Sequence, residues 1–422
     1  MMEKYVDYIL RLLCRIENTE EPLPVCYGNT SESDIKVIIE RSDFFSEGVF
    51  GKEKSLPKLP LPELDGIPVL FGRPETEQTG DRIIIHADLV ASAFFLMTRY
   101  EETVSTDVRD RFGRFIGKKS LPYRAGFIDR PLIDEYSRYI CGLLGIKKDM
   151  RRTDVCLTHD IDAPYTKFSF LSATKRIAAN MLRGKELSFY PYKNMTGNVT
   201  SDPMYIFDEL IEADKKAGDC KVIYFVKSGG SGTPYDAPVY INDKAYTKLS
   251  AKLLASGAEI GYHSSFQAGG DVSLMQAELE TLERIEGRKI TSHRSHFLRT
   301  REPSDMLELI RLGITDDYTM GYADVAGFRI GTARAVNWID PYTKALTGMR
   351  LHPLIAMDNT LTSEDYMGLD ADGAVGYVNT LLSRSSGGSP SILWHNHMIY
   401  NSEVQRNIYE RIISSVSDIS EK

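Results

Sequence analysis

From about residue 151 onward, short apolar runs alternate with stretches of helical period. The runs are Val155–Thr158, Val222–Val226, Ala258–Tyr262, Ile290–Ser292, Ile314 with its neighbours, Leu354–Met357 and Ile392–Trp394. Runs of this length read as buried strands, and strands that alternate with helices predict a parallel sheet. Helix punctuation agrees. Asp202-Pro203 predicts the start of one helix and Gly218 its end, while Asp271 and Gly287 bracket another. An Asp side chain accepts from the open amides of a first turn, and proline fits the first helical position. Seven or so such units over roughly 270 residues predict an α/β fold, a distorted (β/α) barrel of about seven strands.

Residues 1–150 follow a different pattern and are expected to form a smaller α+β domain, with the barrel occupying 151–422. Strand candidates are Ile35–Ile39 and Ile83–Ile85. Helix candidates are Ala87–Val104 and a segment from about Arg130 to Leu144, with Pro131 near its start and Gly145 just past its end. This half holds a single histidine, His86, and reads as a support or recognition module.

Composition narrows the class. The chain has 422 residues, too many for one ordinary core, with 42% hydrophobic and 26% charged residues, as in water-soluble proteins. Its net charge of −8 and the lack of a Lys/Arg block argue against nucleic acid. The five scattered cysteines form no CxxC pair, which argues against a disulfide framework or a thiolate zinc site. The amphipathic N-terminus is not a signal peptide, and Leu89–Met97 is too short to span a bilayer. A cytoplasmic protein without transmembrane segments is the expectation. The oligomeric state is not legible.

Chemistry collects at the strand ends. The first strand runs into His159, Asp160 and Asp162. His263 follows a second apolar run, His293, Arg294 and His296 a third, and His395 and His397 the last. A barrel brings the carboxyl ends of its strands to one rim, where active sites sit. Carboxylate and imidazole together suit a borderline divalent metal, zinc first. Such a metal polarises a carbonyl and acidifies water, while a spare carboxylate and a spare histidine move protons. The combination points to hydrolysis of an amide or ester.

These motifs resemble the polysaccharide deacetylase superfamily (NodB homology, carbohydrate esterase family 4). More closely they resemble a two-domain bacterial branch with an N-terminal DUF7033-type domain. The stretches are THDID at 158–162, EIGYHSSFQ at 259–267, HRSHFLR at 293–299, DYTMGYADVAGFRIGT at 317–332, PLIAMD at 353–358 and ILWHNH at 392–397. LMTRYEE at 96–102 and DRPLIDEY at 129–136 extend it into the first half. The resemblance implies a metal-dependent hydrolase that removes acetyl groups from an N-acetylated sugar or glycan intermediate, a carbohydrate substrate. It implies Asp160 as general base, Arg294 as the residue that keeps it ionised and His395 as general acid. Asp162 and His263 become metal ligands.

One position departs. The superfamily carries a second histidine four residues after the first, and here that position is Gln267. Glutamine is a poor zinc ligand, so His296 is the substitute ligand and His159 another candidate. Without a substitute, the chain reads as a non-enzymatic carbohydrate-binding or assembly protein on the same barrel. Asp317 is a candidate to tune His395. Trp338, Trp394, Tyr165, Tyr262 and Tyr322 are candidates to stack on sugar or to pack the core. Gly229, Gly230 and Gly232 read as a flexible rim rather than a phosphate loop.

Overall fold

The computed structural model describes residues 3–17, 19–30, 34–146, 152–184, 188–230 and 233–420. The first half contains six strands: β1 (Val25–Tyr27), β2 (Val37–Ile39), β3 (Glu63–Leu64), β4 (Ile67–Pro68), β5 (Gly72–Thr79) and β6 (Arg82–Ala87). Four of them form a sheet in the order β1-β2-β6-β5, parallel except for the β5–β6 hairpin. β3 and β4 form a small antiparallel pair. Helices Lys4–Leu13, Leu89–Met97 and Leu132–Leu144 pack with this sheet.

The second half is a closed barrel, as the alternation predicts. Its strands are β7 (Cys156–Ile161), β8 (Lys221–Lys227), β9 (Glu259–Ser264), β10 (Ser292–Ser295) and β11 (Asp316–Met320), then β13 (Leu346–Met357) and β14 (Ser391–Leu393). An extra strand, β12 (Val336–Ile339), precedes β13. Each of the seven ring strands pairs with its neighbours in parallel, and β11 pairs with β13 to close the ring. β12 adds to β13 in antiparallel fashion and was not predicted.

Two predicted helices differ from those observed. Ala87–Val104 is two helices, Leu89–Met97 and Tyr100–Val104, broken at Arg99, whose φ is 53°. The Arg99 side chain is buried and pairs with Glu302, so a tertiary ion pair overrides the local helical pattern. The Asp202-Pro203 start is also displaced, because the helix begins at Phe207. The Asp202 carboxylate instead accepts from the Thr166 and Met204 amides and from Asn194, holding a turn.

The two halves share one hydrophobic core, in which Leu96 and Tyr100 belong with Phe328 and Ile330. Gly331, at φ +69°, lies against Leu96, where an added Cβ would sit 2.7 Å from the leucine side chain. Buried ion pairs cross the same seam. Arg329 forks onto Glu102 at 2.7 and 2.9 Å, and Arg334 meets Asp134 at 2.6 Å. The boundary expected between residues 150 and 151 lies outside the described residues.

Candidate metal centre and proton-transfer groups

Successive residues of β7 alternate between the two faces of the sheet. Asp160 meets Arg294 and His263 on one face. His159 lies on the other, with Nδ1 2.8 Å from the Trp394 carbonyl and Nε2 3.2 Å from Asp214. His159 is therefore no substitute ligand.

Asp162, His263 and His296 converge, with one potential ligand atom from each lying within 4.8 Å of the others. Asp162 Oδ1 is 3.2 Å from His296 Nε2 and 3.6 Å from His263 Nε2. Tetrahedral ligands at zinc distances stand about 3.3 Å apart, so these separations suit one shared cation. The remaining ring nitrogens are anchored. His263 Nδ1 donates to the Arg294 carbonyl at 2.9 Å, which leaves Nε2 with its lone pair toward Asp162. His296 Nδ1 is 2.9 Å from Asp236 Oδ1, the carboxylate-histidine pairing that orients metal-binding imidazoles. Asp162 Oδ1 and His263 Nε2 are buried and make no well-formed hydrogen bond among the described residues. Two orphaned acceptors facing each other are costly unless a cation lies between them. The donor set thus fits a divalent metal.

The electrostatics carry the same sign. Burial disfavours a charged His296, but Asp162 and Asp236 outweigh it and raise its pKa to about 9. Burial would likewise raise the Asp162 carboxyl, yet His296 holds it well below the usual carboxylate value.

Gln267 stands apart. It is exposed, and its backbone amide reaches Asp236 Oδ2 at 3.4 Å. His263 lies in β9 and the chain turns before Gln267, so the position four residues on from His263 stands away from the trio. His296 comes instead from the end of β10, across the rim.

Beside the trio sit two ion pairs. Arg294 is fully buried, and its Nη1 donates to Asp160 Oδ1 at 3.1 Å and to Thr158 Oγ1 at 2.8 Å. Burial would raise the Asp160 carboxyl, but Arg294 and His395 hold it below its ordinary range. His395 Nδ1 lies 2.9 Å from Asp358 Oδ1, and its Nε2 is 3.9 Å from Asp160 Oδ2. Burial opposes its charge, but Asp358 and then Asp160 raise its pKa to about 10. The suggested Asp317–His395 contact does not occur. Asp317 binds His293 at 2.7 Å on another part of the barrel, and Asp358 is the partner of His395.

A cavity of about 250 Å³ opens onto these groups. Asp160, Asp162, His296, His395 and His397 form its polar side, and Leu298, Met357, Leu393 and Met398 an apolar wall. Arg114 reaches it from the first half and bonds the Phe297 carbonyl at 3.2 Å and the Tyr366 hydroxyl at 3.0 Å. Trp338, Trp394, Tyr165, Tyr262 and Tyr322 are buried, so the packing reading holds for them and the sugar-stacking one does not. Gly229 and Gly230 are no flexible rim. A Cβ on Gly229 would strike Glu278 at 2.2 Å, and Gly230, at φ +88°, lies against Ser265 and Asp236. Gly232 lies outside the described residues.

Sequence reasoning gave no role to Asp236, Asp358 or Arg114. Asp358 had a signal, an acid directly after an apolar run. Asp236 and Arg114 lie in irregular loops, where periodicity says nothing.

Residues 2–148 match DUF7033, a family of unknown function. No curated protein matches the chain. Among solved structures, a Mycobacterium smegmatis protein assigned as a polysaccharide deacetylase is 14% identical, with TM-score 0.38. That match covers 64% of this chain and 86% of the other. The PuuE allantoinase is 13% identical over 63% of this chain and 83% of its own, with TM-score 0.37. A family 4 carbohydrate esterase from Streptomyces lividans, solved with acetate, is 11% identical over 50% and 79%, with TM-score 0.29.

Proposed function

We propose that this chain is a metal-dependent hydrolase that removes acetyl groups from an N-acetylated sugar or glycan intermediate. The observation that carries the reading is the meeting of Asp162, His263 and His296, with two orphaned acceptors, beside the Asp160–Arg294 and His395–Asp358 pairs. Asp162 Oδ1, His263 Nε2 and His296 Nε2 would hold a divalent cation, with zinc as the first choice for this donor set. Bound there, it would polarise the acetamide carbonyl and acidify a water.

The chain's own groups supply the proton transfers. Asp160, kept ionised by Arg294, takes a proton from the attacking water. His395, charged through Asp358, gives one from Nε2 to the departing amine nitrogen. The apolar wall of Leu298, Met357 and Leu393 suits a methyl group and excludes water from that side. Exposed Gln267 is no obstacle to this reading, since His296 fills the vacancy in the ligand set.

The test is acetate release from N-acetylated oligosaccharides and nucleotide-linked N-acetyl sugars by zinc-loaded protein. Activity lost about 10²–10⁴-fold in Asp160→Asn and in His395→Ala supports the assignment. Undiminished release by Asp162→Ala, or no release from any N-acetylated sugar, would remove it.

A further inference from the structure

The segment between β7 and β8 leaves the barrel rim directly after Asp162. It carries a helix, Phe170–Leu182, of which Ala173 is the buried residue. Phe170 is 69% exposed, Leu171 64%, Met181 60% and Leu182 89%. At helical spacing Phe170, Leu171, Ala178, Met181 and Leu182 fall within an arc of about 120°. An apolar stripe of that width ordinarily faces a core, and this one faces solvent. Phe189 and Met195, which follow it, are exposed as well. The short helix Tyr190–Met195 covers only the start of the stripe, where Tyr192 lies 5.7 Å from the Phe170 ring and meets the Thr174 hydroxyl at 2.8 Å, and Arg176 bonds Tyr190 at 3.3 Å; Leu171, Met181 and Leu182 stay exposed.

The charge of this excursion is as unusual as its apolar face. The sequence from 164 to 200 holds six basic residues, Lys167, Lys175, Arg176, Arg183, Lys185 and Lys193, against one acid, Glu186; Lys167, Lys175, Arg176, Arg183 and Lys193 are exposed. The chain as a whole carries −8. Lys167 pairs with Asp243 at 3.2 Å, while Lys175, Arg176, Arg183 and Lys193 meet no carboxylate among the described residues. Lys175 borders one edge of the stripe, and Arg176 and Arg183 lie beyond it.

Apolar side chains flanked by cations match the interface of an anionic bilayer. The hydrocarbon groups enter between headgroups while Lys and Arg meet the lipid phosphates. A symmetric second copy of this face would instead oppose like charges. We propose that this rim excursion docks the protein on the surface of an anionic membrane. Docking would be peripheral, since no helix among the described residues is long and apolar enough to cross a bilayer. The inference stands on this surface alone and does not depend on catalysis.

Flotation of the full chain with phosphatidylcholine vesicles, with and without phosphatidylglycerol, tests it. Expected is capture by the anionic vesicles, weakened by added salt and absent with neutral ones. The double variant Leu171→Ser/Leu182→Ser should bind at least about tenfold more weakly, and Lys175→Glu/Arg183→Glu about tenfold. Both should keep the wild-type melting temperature, because the altered side chains are exposed. Failure of the wild-type to float with anionic vesicles at low salt would overturn the proposal. So would unchanged vesicle affinity in the Ser variant, or a dimer that this variant dissociates in place of vesicle binding.

Discussion

At His395 two opposing influences meet. Burial favours the neutral ring, while Asp358, Asp160 and Asp162 favour the charged one and prevail, at a pKa of about 10. Asp358→Asn removes the largest of those carboxylate influences, so the ring loses its proton at lower pH. The alkaline limb of the kcat/KM profile is expected to move down by about 1–2 pH units. Asp317→Asn should leave that limb in place, because Asp317 serves His293. The raised His395 pKa also makes a stability statement. Its contribution in metal-free protein is present below the unfolded value of 6.5 and is lost as pH rises through about 10. At His296, Asp236→Ala should weaken zinc binding about 10–100-fold in a chelator competition, while Gln267→Ala should not change it. The sequence displayed His263, Arg294, His296 and His395 because each follows an apolar run. It could not display their carboxylate partners Asp236 and Asp358, since pairing is a matter of tertiary contact.

Among the elements, the turn after β10 holds most tension. His296 is followed by Phe297 at φ 61° and Leu298 at φ 54°, left-handed values that side chains with a Cβ rarely adopt. Such a conformation persists when its surroundings over-determine it. The first half supplies those restraints. Phe112 packs on the Phe297 ring at 5.0 Å, Arg114 binds its carbonyl, and Arg99 pairs with Glu302 just beyond. Arg114→Ala should therefore lower zinc affinity about tenfold, in the manner of a lost outer support, with the barrel still folded by circular dichroism. This scale also divides what was legible. The ring strands announced themselves as apolar runs. The break at Arg99 did not, because Ala87–Val104 has an uninterrupted helical pattern until a distant glutamate decides it. β12 was equally hidden, being a short edge strand whose residues resemble any other part of a connection.

For the whole molecule, the seam between the halves is packed as a core rather than as a loose contact. Glu102 and Arg329 are both buried there and share two short hydrogen bonds. Removing one partner strands the other, so Glu102→Ala should cost about 3–5 kcal/mol in a denaturant titration. Heating should show the two halves melting in one calorimetric transition. A first half that melts well below the barrel would mean the shared core is not cooperative. Length and composition suggested two units, but the continuity of their packing rests on residues such as Gly331 and Leu96, whose meeting no local pattern records.

The proposed reaction requires one cation shared by three side chains from different strand ends. An anomalous difference map from crystals grown with zinc tests it most directly. Expected is a single peak at about 2.0–2.2 Å from Asp162, His263 Nε2 and His296 Nε2. A map without density among those three groups, or with the ion held by other residues, would contradict it.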